Sequence, residues 1–205
     1  MSRVCVITED GGSYYAIASR LRSAGLPFLS LLPGDVADEC SLVLTTRKEA
    51  GSFTAPTLTL EELDEDPDIA RSQVLARLSG ERTLLVGVDP GLRIGTAAFM
   101  GDSRLASRTF NSRKAVCAWI AELMDKVPSA RAVVRVGDGD PKTARWIADA
   151  LTERFPRVTV EIVDESGTSS NRRARGLQRD QGSAARIAFR RGAVFREEGR
   201  ASKSR

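Results

Sequence analysis

Five aspartates in this 205-residue chain stand where an apolar run ends or a helix begins. Asp89 closes LLVGVD and is followed by Pro-Gly. Asp138 and Asp140 follow VVRVG, Asp164 closes VTVEIVD, and Asp180 opens DQGSAARIAF. A carboxylate at a strand end points in a fixed direction, and several such ends brought together offer hard oxygen donors to a divalent cation. Two ions about 3.5–4 Å apart can then activate water and steady the leaving oxygen of a phosphodiester. The donor inventory narrows the chemistry further. The chain has no histidine, which excludes histidine triads and histidine-bound zinc. Its three cysteines, Cys5, Cys40 and Cys117, are scattered, so a metal site must be built from oxygens and would take Mg²⁺ or Mn²⁺.

Each position also has a purely structural use. Asp89-Pro90-Gly91 is good turn chemistry. Asp138, nearer its strand, is the preferred ligand of its pair, because Asp140 precedes Pro141 and suits a helix N-cap. Asp164 and Glu165 either join an acidic cluster or cap the following loop. Asp180 shares a helix face with Ala184, Ile187 and Ala188, and it also suits the positive end of the helix dipole. Beside these carboxylates, residues 165–179 carry Arg172, Arg173, Arg175 and Arg179 among small hydroxyl residues, and Arg93 follows the Pro-Gly turn. Guanidinium forks in such a setting fit phosphate contacts. TEDGGSYY (8–15) lacks a full phosphate-loop fingerprint and reads as a strand-to-helix turn.

The elements that must position these groups follow from periodicity. Residues 3–8, 26–32 and 40–46 read as strands, and 13–24 reads as an amphipathic helix ended by Gly25. After the acidic EELDEDPD and a helical pattern over 69–78, the break at 79–82 marks a domain boundary. Beyond it, strands over 84–89, 94–100 and 104–110 precede a helix (114–127), a strand (131–138), a helix (141–155), a strand (158–164) and a last helix (180–192). The chain is thus expected to comprise a small α/β domain over 1–80, a β-β-β-α-β-α-β-α domain over 83–193 and a basic flexible tail over 194–205. Charge follows the same division. Residues 1–82 carry 8 basic and 13 acidic side chains, residues 83–170 carry 12 and 11, and residues 171–205 carry 11 and 3. A basic last third points to a polyanionic partner. No run is long enough to span a membrane, and no signal-peptide pattern opens the chain. Three unclustered cysteines imply buried free thiols and a reduced, cytoplasmic setting.

The order of elements, with VGVDPGLRIGTAAF on the first strand of the second half, resembles the RuvC and YqgF group of Holliday-junction resolvase-like nucleases. VDESGTSS (163–170) and DQGSAARIAF (180–189) are similar to the group's later motifs. The resemblance covers about 120 residues and excludes the first 80. It implies a ribonuclease H-like mixed sheet in which the fourth strand lies beside the first. It also implies Mg²⁺- or Mn²⁺-dependent endonuclease activity on branched DNA or structured RNA, with Asp89, Asp138 and Asp180 as catalytic metal ligands. Symmetric junction cleavage would require a homodimer. The chain departs from the pattern in two places: an aspartate stands where a glutamate is usual, and Ser183 replaces RuvC's second helix aspartate. These departures leave a non-catalytic nucleic-acid binder of the same fold as the alternative.

Overall fold

A computed structural model describes residues 3–35, 39–165 and 177–195, with the side chains of 177–181 outside that description. Two compact units result: Met1–Arg82 together with Asp125–Pro128, and Thr83–Met124 together with Ser129–Arg205.

In the first unit, β1 (Val4–Val6), β2 (Leu29–Ser30), β3 (Leu42–Thr45) and β4 (Thr57–Thr59) form a wholly parallel sheet in the order β2-β1-β3-β4. Side chains alternate across it, as a pleated strand requires. Val4, Val6, Leu42 and Leu44 pack with Ile17 and Leu21 of α1 (Gly11–Ser23) and with Ala70 and Val74 of α2 (Pro67–Leu78). Cys5 and Val43 join Ile7, Cys40, Leu31 and Phe53 in a second cluster. Asp10 caps α1 by accepting from the Ser13 N–H at 2.7 Å, and Asp66 caps α2 by accepting from the Asp68 and Ile69 N–H groups. Gly25, just past α1, has φ +65, a left-handed conformation that favours glycine. β4, three residues long, is too short to register as a periodic signal in the sequence.

The expectation of free thiols is overturned for two of the three cysteines. Cys5 and Cys40 form a disulfide across a sequence separation of 35. The α/β crossover sets β3 beside β1, with Cys5 opposite Val43, which brings Cys40 within bonding reach. Linear spacing hides this proximity, and the reading of a reduced compartment loses its support. Cys117 is the free cysteine, and burial pushes its thiol up to about 11. Among the described residues, no helix is long and apolar enough to cross a membrane.

The second unit contains β5 (Thr83–Pro90), β6 (Ile94–Met100), β7 (Ser103–Phe110), α3 (Arg113–Lys126) but for its last two residues, β8 (Arg131–Gly137), α4 (Pro141–Arg154), β9 (Thr159–Val163), α5 (Leu177–Phe189) and β10 (Ala193–Val194). Its six strands lie in the order β10-β9-β8-β5-β6-β7. β5, β6 and β7 form an antiparallel meander, and the crossovers through α3 and α4 place β8 parallel to β5 and β9 parallel to β8. This is the ribonuclease H-like mixed sheet, with the fourth strand beside the first. Leu84, Val86, Val88, Val134 and Val136 fill one face, and α5 covers part of the other.

Two boundaries differ from expectation. α5 begins at Leu177 rather than at 180 and ends at Phe189. Residues 194 and 195, expected in the tail, belong to the sheet: Ala193 and Val194 pair with Ile162 and Glu161, and the Phe195 N–H donates to the Val160 carbonyl at 2.8 Å. An open edge on β9 accepts these residues although their own pattern is too short to announce a strand. The expected tail beyond 195 lies outside the described residues.

Candidate active site

Helix α5 approaches the sheet closely at Gly87. A Cβ placed there would stand 2.0 Å from the Ala184 carbonyl oxygen and 2.8 Å from the Ala188 Cβ. Glycine on the strand and alanines on the helix are therefore a matched set, since any larger pair would force the layers apart. Ala184 and Ala188 also pack against Ala97 and Phe99, and the Phe99 ring meets that of Phe189 edge-on at 4.8 Å between centroids. A largely buried ion pair supports the same helix. The Arg135 guanidinium bonds Glu161 at 2.8 Å and donates to the Ala188 carbonyl at 2.6 Å. Burial alone would raise the Glu161 carboxyl, but the bonds from Arg135 and the Gly192 N–H prevail and hold it below the usual range.

Strand parity then decides which acids share the α5 face. Leu85 and Gly87 face α5, so Asp89, two residues on, faces the same side. In the parallel register Val88 is paired with Val136, which sets Asp89 in the row of Gly137 and not of Asp138. Alternation starts Asp138 from the opposite side of the sheet, one residue out of step with Asp89. Gly137 itself faces α5: a Cβ there would lie 2.9 Å from Ile187 Cδ1 and would overlap the Glu165 carboxylate.

Glu165 thus fills the space beside Gly137 on this face. It lies two residues beyond Val163, which is paired with Gly137, so the same parity returns its side chain to the α5 face. Its Oε1 accepts from the Gly139 N–H at 3.2 Å, while its own N–H donates to Asp138 Oδ1 at 2.9 Å. Asp138 and Glu165 therefore hold each other's loops in place. Asp89 and Glu165 stand on one face at the ends of adjoining rows, with side-chain-free Gly137 between them. The same row continues from Asp89 through Gly95 to Thr109, whose buried Oγ1 has no hydrogen-bond partner.

The remaining sequence-predicted residues divide plainly. Asp140 is the N-cap of α4, accepting from the Lys142 and Thr143 N–H groups at 3.1 and 3.2 Å and from Thr143 Oγ1 at 2.8 Å. The bonds from Thr143 hold its carboxyl below the ordinary value. Asp164 is exposed, and its carbonyl accepts from Arg190 at 2.8 Å. Asp180 lies in α5 one turn before Ala184, and its side chain, like that of Arg179, is outside the described residues. Arg172, Arg173 and Arg175 fall wholly outside them. Arg93 is exposed at the β5–β6 turn. Ser183 Oγ accepts from Arg186 at 3.2 Å. Among the described residues no three His, Cys, Asp or Glu side chains gather as a metal-holding group. Asp89 and Glu165 each bring carboxylate oxygens to the same sheet face, and carboxylate oxygens are the donors that hard divalent ions take.

No family model matches the chain, and neither does any curated protein. Among solved structures it is similar to that of Marinitoga piezophila Argonaute in complex with a 5′-OH guide RNA and target DNA, at 10% identity and a TM-score of 0.29. The likeness covers 80% of this chain, which spans only 39% of that one. It is the strand order, not this likeness, that defines the fold.

Proposed function

We propose that the second unit is a divalent-metal-dependent endonuclease acting on structured nucleic acid, branched DNA or structured RNA, in the manner of the RuvC and YqgF nucleases it resembles. The observation that carries this reading is the register that brings the Asp89 and Glu165 carboxylates to one face of the sheet, beneath α5. In it Asp89, Glu165 and Asp180 hold Mg²⁺ or Mn²⁺. Such an ion supplies a more acidic water and a counter-charge for the phosphoryl oxygens. Asp138 acts through Glu165, fixing its backbone. Arg93, Arg172, Arg173, Arg175 and Arg179 hold phosphates and offset the repulsion between the carboxylates and a polyanion.

The test is cleavage of a four-way DNA junction and of a hairpin RNA with Mg²⁺ or Mn²⁺. Asp89→Asn and Glu165→Gln should each reduce cleavage by about two orders of magnitude or more while leaving binding in place, and Asp138→Asn should cost less. Binding should fall steeply with salt. The absence of cleavage of either substrate by the wild type would overturn the reading. Ser183, where RuvC has an acid, favours the second reading of a non-catalytic binder, and binding without cleavage by the wild type would establish it.

A further inference from the structure

The β5–β6 turn carries a leucine that the fold does not use. Leu92 is 106% exposed, well above the next most exposed large apolar side chains among the described residues, Tyr15 at 72% and Leu32 at 71%. A lone apolar residue on a surface needs no explanation, but this one sits at the tip of a short turn closed by paired strands. β5 and β6 pair without interruption from Leu84–Met100 to Pro90–Ile94, leaving only residues 91–93 in the turn. Pro90 is buried with a fixed φ, and the Gly91 N–H donates to the Asp89 carbonyl at 3.1 Å. Leu92 therefore stands out from a three-residue tip, three residues from Asp89. Beside it, Arg93 is exposed and has no hydrogen-bond or ion-pair partner among the described residues. A fully exposed aliphatic side chain next to a cation suits a partner that offers both an apolar stack to enter and an anion alongside. Nucleic acid does this: aliphatic wedges part base steps while basic residues hold the flanking phosphates.

We infer that Leu92 is a wedge that enters the base stack near the scissile phosphate, with Arg93 on the neighbouring phosphate. This rests on the nuclease reading above and adds the residue that selects deformable, unstacked or branched substrates over continuous duplex. The probe is a four-way DNA junction with 2-aminopurine placed at successive positions near the branch, bound in the Asp89→Asn background so that it stays intact. Unstacking should raise 2-aminopurine fluorescence several-fold at one or two positions. Leu92→Ala should abolish the rise while changing affinity less than about three-fold, and Leu92→Phe should restore it. Because Leu92 packs against nothing, circular dichroism should show both variants folded. Arg93→Ala should weaken binding and reduce the salt slope by about one. If the junction is bound and the fluorescence stays flat, or Leu92→Ala matches the parent, the wedge is overturned and the nuclease reading stands. If the chain binds neither junction nor hairpin RNA, both fall together.

Discussion

Asp89 lies within the last residues of β5, whereas Asp140 stands three residues past β8 and caps α4. Asp140 satisfies the first turn of α4, as its paired bonds to Lys142 and Thr143 show. Asp140→Ala should therefore lower the melting temperature by a few degrees and leave cleavage unchanged, a separation visible when a thermal melt and an activity assay are run on one preparation. Glu49 makes a second prediction at this scale. It accepts from Thr8 Oγ1 at 2.8 Å, the Glu9 N–H at 2.7 Å, Thr45 Oγ1 at 3.2 Å and both the N–H and hydroxyl of Thr46. Burial works against its charge, but these bonds hold the carboxyl at about 2, below the ordinary 4.5. A depressed folded pKa stabilises fully above the unfolded value and is lost as pH falls through the folded one. Glu49→Gln should thus cost about 1 kcal/mol near neutrality, solvent screening being strong at this partly exposed site. The gap to wild type should close between about pH 4.5 and 2 in denaturant titrations at stepped pH.

At the scale of elements, the contact between α5 and β5 decides whether a site exists. Gly87 admits the Ala184 backbone and so lets α5 lie close against β5, an approach the proposed site needs. Gly87→Ala must push α5 outward or bend the strand, and it should cost about 3 kcal/mol, the upper end of ordinary overpacking. Urea unfolding should show the loss of stability, and residual cleavage should fall with it. Gly87→Ala with stability and activity both intact would mean that the helix is not seated as described.

For the whole molecule, the covalent link in the first unit is the feature to test. The Cys5–Cys40 disulfide closes a loop over a sequence separation of 35. Reductant should destabilise that unit by about 2–4 kcal/mol through the freedom returned to the unfolded chain. Cys40→Ser should melt at that lower temperature and show no further response to reductant in circular dichroism.

Much of the chain was legible from its own residues. The ribonuclease H-like order of elements follows from period-2 and period-3.6 patterns and from Pro-Gly punctuation, because these are local signals. Asp89 and the Asp140 cap alternative were readable for the same reason. Other features depend on which strands are neighbours and in what register. Nothing near Asp138 reveals that Val88 pairs with Val136, yet that register sets Asp138 one residue out of step with Asp89, and the space beside Gly137 is filled by Glu165, seventy-six residues after Asp89. A glycine at 137, two residues after Arg135 on the same strand face, was the only local hint that a side chain from elsewhere fills that space. The disulfide was hidden likewise, since a crossover joins cysteines that sequence spacing keeps apart. Local chemistry determined the elements and the candidate acids, and the pairing of distant strands decided which of those acids share a face of the sheet.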